Sequence, residues 1–161
     1  MPRRSLRRRG AAPVVVIVAA VAAGCTSARP TAASLGREPV LAPLPAEVVL
    51  AEVRVAPRAD RIGVPGRDGV VERVVAVDLL PAAAADLVLA RSGARYGFRR
   101  VDLGVGTPVT VELRGTAPTG AQVVVTSSTA APVLLYGSPD DVRPTPPDRP
   151  TTVVITVVSR Q

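Results

Sequence analysis

From Ala46 onward, apolar and polar residues alternate with a period of two, and Gly and Pro interrupt the alternation at short intervals. That period places successive side chains on opposite faces of an extended strand. Pro108–Arg114 is the cleanest case, with Val109, Val111 and Leu113 on one face and Thr110, Glu112 and Arg114 on the other. Glu47–Ala56 sets Val53 and Val55 against Glu52 and Arg54. Val70–Leu80 is apolar on both faces from Val74 to Val77, which predicts a central strand. Ala121–Ser127 and Val133–Tyr136 follow as strands. Thr152–Val158 closes the series, with Val153, Ile155 and Val157 opposite Val154, Thr156 and Val158.

The middle of the chain is less regular. Pro81–Ala85 reads as a short helical turn or a loop. Leu87–Arg91 and Arg95–Leu103 read as a hairpin closed around Ser92-Gly93-Ala94. Within the second arm the apolar frame slips by one residue at Arg99-Arg100. Either a β-bulge keeps Tyr96, Phe98, Val101 and Leu103 on one side, or the strand ends at Phe98. Gly137–Pro150 holds five prolines and reads as a long loop. The expected fold is all-β: an antiparallel β-sandwich over residues 46–161, immunoglobulin-like in the broad sense, with about eight short strands. No sustained helical period and no internal repeat is expected after residue 45.

The first 45 residues follow different rules. Met1–Arg9 is basic, and Ala11–Gly24 is a 14-residue run without charge. As a helix that run reaches about 21 Å, short of a hydrocarbon core of about 30 Å. A basic start, a short apolar run and a small-residue end form the pattern of a cleaved export signal. Its last residues, Ala22-Ala23-Gly24-Cys25, resemble the lipobox of bacterial lipoproteins, with Ala22 where Leu is commonest. The resemblance covers residues 1–25. It implies cleavage between Gly24 and Cys25, diacylglycerol on the Cys25 thiol, and a protein held at the extracytoplasmic face of the cell membrane. Arg3-Arg4-Ser5-Leu6 also resembles a twin-arginine motif, with Pro2 where Ser or Thr is usual. Residues 26–45 contain Pro30, Pro39, Pro43 and Pro45 and read as a semi-stiff tether; packing of Val40, Leu41 and Leu44 onto the domain as an edge strand is the alternative.

Charge and composition narrow the chemistry. The formal net charge is +7, but Arg3, Arg4, Arg7, Arg8 and Arg9 precede Cys25 and no acid does. Of the 20 basic residues, 15 therefore face all 13 acids in the remainder, with no basic run among them. Tyr96, Phe98 and Tyr136 are the aromatic residues. Nucleic-acid binding is therefore not expected. All 20 basic residues are Arg, and His, Lys, Asn and Trp are absent. This removes Ser-His-Asp, Cys-His and Ser-Lys arrangements, and it removes the His ligands of zinc and copper sites. Gly104-Val105-Gly106 lacks the third Gly of a dinucleotide loop. The expectation is a non-catalytic module without a cofactor, working through an envelope protein partner. Binding of calcium or of a small apolar ligand is the alternative. Asp140, Asp141 and Asp148 are the calcium candidates, because that ion prefers hard oxygen ligands. Arg99 and Arg100 are the candidates for binding an acidic partner.

Overall fold

The computed structural model describes residues 31–58, 68–103 and 109–159. These residues form one sheet of six antiparallel strands: β1 (Val48–Val55), β2 (Gly69–Val77), β3 (Arg99–Leu103), β4 (Thr110–Thr116), β5 (Gln122–Ser128) and β6 (Thr151–Ser159). Across the sheet the order is β1-β2-β6-β5-β4-β3. β3, β4, β5 and β6 are therefore neighbours in succession, and the β1–β2 hairpin joins at β6. The mainly antiparallel β architecture matches the period-two pattern. β2 and β6 are buried on both faces almost throughout, as an interior position demands of valine-rich runs.

The second layer differs from the expected sandwich. Among the described residues there is no second sheet, and one face is covered instead by α2 (Pro81–Tyr96), which packs on β4, β5 and β6. The expected hairpin at Leu87–Arg91 and Arg95–Leu103 is largely this helix. Its buried positions are Pro81, Ala84, Ala85, Val88, Ser92 and Tyr96, a stripe at intervals of three and four. Pro81 begins the helix, where its missing N–H costs nothing. Gly97 ends it at φ 58°, and its N–H donates to Gly93 O. The expected bulge at Arg99-Arg100 is absent; β3 pairs in continuous register with β4. Tyr96 is buried in the core and Phe98 packs against it, whereas Leu103 is exposed. The observed irregularity lies in β1, between Val49 and Ala51. Val133–Tyr136 is not a strand but part of a long crossover from β5 to β6.

Residues 31–47, most of which read as a tether, form an arm packed on the helical face of the sheet. Helix α1 (Ala32–Leu35) is capped by Thr31 Oγ1, which accepts from Ser34 N. A 3₁₀ turn, Pro39–Leu41, follows. Leu35, Val40, Leu41 and Leu44 are all buried and join the core formed by the sheet and α2. A proline-rich sequence can be well ordered when its apolar side chains find a surface, because proline lowers the entropy lost on docking. The arm is thus neither a free tether nor an edge strand.

Candidate functional site

The face of the sheet opposite α2 is only half covered. Strand pairing aligns Glu72 with Thr156, Val74 with Val154 and Ala76 with Thr152 on this face. Beyond β6 the face continues through Val124, Thr126 and Ser128 of β5, and then through Thr110, Glu112 and Arg114 of β4. Over β1 and β2, the crossover between β5 and β6 lies on the sheet. Leu134 and Val142 pack on a small core of Leu50, Ala51, Val74, Ala76 and Val154. Arg143 N donates to Leu50 O at 3.1 Å. Gly137 passes so close to β1 that a Cβ there would sit 2.7 Å from Val53 Cγ2.

Glu72 holds this crossover down. Its side chain is wholly buried. Leu135 N donates to Glu72 Oε1 and Tyr136 N to Oε2, both at 3.1 Å, while Thr156 Oγ1 donates to Oε1 at 3.0 Å. The carboxylate thus faces two main-chain amides and a hydroxyl. No cation pairs with it among the described residues. With both oxygens engaged by donors, Glu72 acts as an acceptor for the loop.

Over β4, β5 and β6 the same face is open. A groove of about 520 Å³ runs there between the strands and Ala130–Val133, floored by Val124 and Val154 and flanked by the hydroxyls of Thr110, Thr126, Ser128 and Thr156. Arg114 pairs with Glu112 at its far side. That hydrogen bond raises the Arg114 pKa above its ordinary value. Val133, Leu135 and Tyr136 stand exposed on the crossover beside the groove. Together they make a neutral surface of small apolar patches and hydroxyls, suited to contact.

The residues singled out from sequence fall elsewhere. Arg99 and Arg100 are on β3, at the sheet edge, with their side chains on opposite faces. Arg100 pairs with Asp102 and with Asp86 of α2. The Asp102 hydrogen bond raises the Arg100 pKa. Arg99 lies opposite Arg114. The two arginines therefore do not form one binding patch. Asp140 and Asp141 belong to a 3₁₀ turn. Asp141 Oδ2 accepts from Ser138 N, while Asp148 lies beside Arg149. Among the described residues no three acids, Cys or His come together as a metal cage. Gly24 and Cys25 lie outside the described residues. Glu72 was not singled out from sequence, although an acid inside Val70-Val71-Glu72-Arg73-Val74-Val75 is a marked departure from the apolar run. Comparison with protein-family models, curated proteins and solved structures gives no match.

Proposed function

We propose that this chain is a membrane-anchored extracytoplasmic lipoprotein, held by diacylglycerol on Cys25, whose domain works by protein contact and without catalysis. The observation that carries the reading is the small-small-Cys sequence Ala23-Gly24-Cys25 at the end of a short uncharged run behind five arginines. Among the described residues no helix is long and apolar enough to cross a membrane. Helix α1 starts at Ala32, a short way along the chain from Cys25. The open groove and the exposed Val133 and Leu135 beside it are the surface we assign to a partner.

Intact mass of the membrane-extracted protein tests the anchor. A chain starting at Cys25 and heavier by a diacylglyceryl group is the expected result. Cys25→Ser protein that still sediments with membranes refutes it. The partner surface is tested separately by placing a charge in it: Thr126→Arg in the groove should abolish recovery of a cross-linked envelope partner that the unaltered protein recovers.

A second reading is binding of a small apolar ligand, favoured by the Val124–Val154 floor of the groove. A thermal-shift screen with apolar ligands decides it. A stabilising ligand whose effect disappears in Val154→Arg supports ligand binding, and no shift with any ligand excludes it.

A further inference from the structure

The sheet is electrically polarised along its strands. One end is formed by the close of β1 and β4 and the start of β2, beside the last turn of α2. Near this end stand the exposed Arg37, Arg54, Arg58, Arg95, Arg99 and Arg114. Among the described residues the acids near it are Glu38, which is buried and pairs with Arg95, and Asp68, half-buried at the start of β2. Glu52 and Glu112, which pair with Arg54 and Arg114, are further up their strands. At the opposite end are Asp78 after β2, Asp102 near the end of β3, which pairs with Arg100, and Asp148 before β6, which pairs with Arg149; the exposed Arg143 lies beside the start of β1.

The arm enters at the basic end. Leu35 of α1 packs against Gly69, the first residue of β2, where an added Cβ would sit 3.2 Å from Leu35 Cδ1. Six residue steps separate Cys25 from Thr31. Whatever path they take, they span at most about 20 Å. A link of that length lets the basic end come within the Debye length of the bilayer, about 10 Å at 0.1 M salt, beyond which exposed charges are largely screened.

We propose that this arginine-rich end faces the bilayer and binds anionic phospholipid headgroups, so that the domain stands with β2 and β6 upright and its acidic end outward. The inference rests on the lipid-anchor reading and adds to it an orientation. Arginine suits the task because its planar guanidinium binds phosphate oxygens in pairs. Anionic lipid attracts basic residues near a membrane surface, and such a headgroup contact adds to the hold of the diacylglyceryl chains. The opposite polarity of the far end adds a repulsive term against lying inverted.

The test uses the lipidated full-length mature protein, reconstituted into vesicles of phosphatidylcholine with or without phosphatidylglycerol. A fluorophore is placed at the basic end through Pro118→Cys, in the β4–β5 turn, or at the far end through Leu80→Cys, where the residue is exposed. Energy transfer to an acceptor on the headgroups is then measured. The ends of the sheet are about 25–30 Å apart, so transfer from position 118 should exceed that from position 80 several-fold in phosphatidylglycerol vesicles. That excess should collapse at about 1 M salt, where the Debye length is about 3 Å. It should also collapse in the surface variant Arg37→Glu/Arg99→Glu at low salt. Equal transfer from the two positions, or an excess indifferent to anionic lipid, salt and charge reversal, overturns the orientation while the anchor stands, provided the protein floats with both vesicles. A protein without diacylglycerol on Cys25 that floats with neither overturns the anchor and the orientation together.

Discussion

The Tyr96 hydroxyl donates to Glu38 Oε2 at 2.8 Å across 58 residues of sequence. The same oxygen of Tyr96 accepts from Val40 N at 3.3 Å. Thr119 Oγ1 reaches the other Glu38 oxygen at 3.4 Å, and Arg95 stands 3.8 Å from the first. This small network fastens the arm to the last turn of α2 and to the β4–β5 turn. Glu38 is buried and would otherwise carry an uncompensated charge.

Tyr96→Phe should therefore cost about 1–3 kcal/mol, because it leaves Val40 N and a buried carboxylate short of a partner. Urea unfolding at neutral pH measures it. A pH dependence follows from the same group. Burial, and next the Glu38 hydrogen bond, push the Tyr96 pKa from 10.0 up to about 12. As the pH rises from 10 to 12 the unfolded chain gives up this proton first, so the folded state binds more protons and stability falls with rising pH. Below pH 10 the contribution is intact. In Tyr96→Phe the part of the alkaline slope due to this phenol should vanish.

The arm makes a second prediction. Leu35 is 1% exposed, at a position that a flexible tether would leave in water. Leu35→Ala should cost about 2–5 kcal/mol, as for other buried leucines. A tether residue would cost nothing measurable. Arg73 reinforces the arm at its other end, donating to Leu41 O at 2.7 Å and pairing with Glu47, whose Oε2 accepts from Leu44 N. Denaturant unfolding of Leu35→Ala decides between the two behaviours.

Glu72 provides a third. Glu72→Ala removes the acceptor for two main-chain amides and one hydroxyl, which should cost about 3 kcal/mol or more. Glu72→Gln keeps the volume but has one acceptor oxygen in place of two, so part of the loss should remain. The local readout is hydrogen exchange. The Leu135 and Tyr136 amides should lose protection in both variants, while the amides of β6 should change only with global stability.

The alternation at Thr110–Arg114 and Val153–Val157 was legible because each strand carries large apolar residues on its inward face. Helix α2 was not, for two physical reasons. Its buried stripe consists largely of small residues, Ala84, Ala85 and Ser92, which carry little apolar weight. Leu87 and Leu89, flanking Val88, also mimic a period of two, although both only border the core. The helix was still written in the chain through alanine propensity, Pro81 at the start and Gly97 at the end. The arm was hidden by its prolines, which report backbone stiffness and not whether a surface waits for Leu35 and Leu41. Glu72 could be noticed as an acid in a valine run. Its partners could not be, since Leu135 and Tyr136 are 63 and 64 residues away.

Close packing of α2 on β4 yields a fourth prediction. A Cβ on Gly115 would lie 2.7 Å from both Phe98 Cδ1 and Tyr96 O. Main-chain oxygen cannot swing aside as a side-chain tip can. Gly115→Ala should therefore push the end of α2 from the sheet and cost about 1–3 kcal/mol. A lowered melting temperature with unchanged helix content by circular dichroism is the expected pattern.

Ala46, where the arm turns into β1, should behave in the opposite way. Its φ is 50°, the one positive value among the described non-glycine residues. For an L-residue with a Cβ, that conformation costs about 1–2 kcal/mol. The turn keeps it because the flanking residues are fixed: Glu47 N donates to Leu44 O at 3.3 Å, and the Arg149 guanidinium donates to Ala46 O. Ala46→Gly removes the steric cost but gives the unfolded chain more freedom, which takes back about 0.5–1 kcal/mol. The net expectation is a gain of up to about 1 kcal/mol, read as a higher urea midpoint with an unchanged slope. Ala46→Val adds a β-branch to the same strained backbone and should lower the midpoint. If instead Ala46→Gly destabilises the protein, the left-handed turn at the foot of β1 is not the conformation the chain adopts in solution.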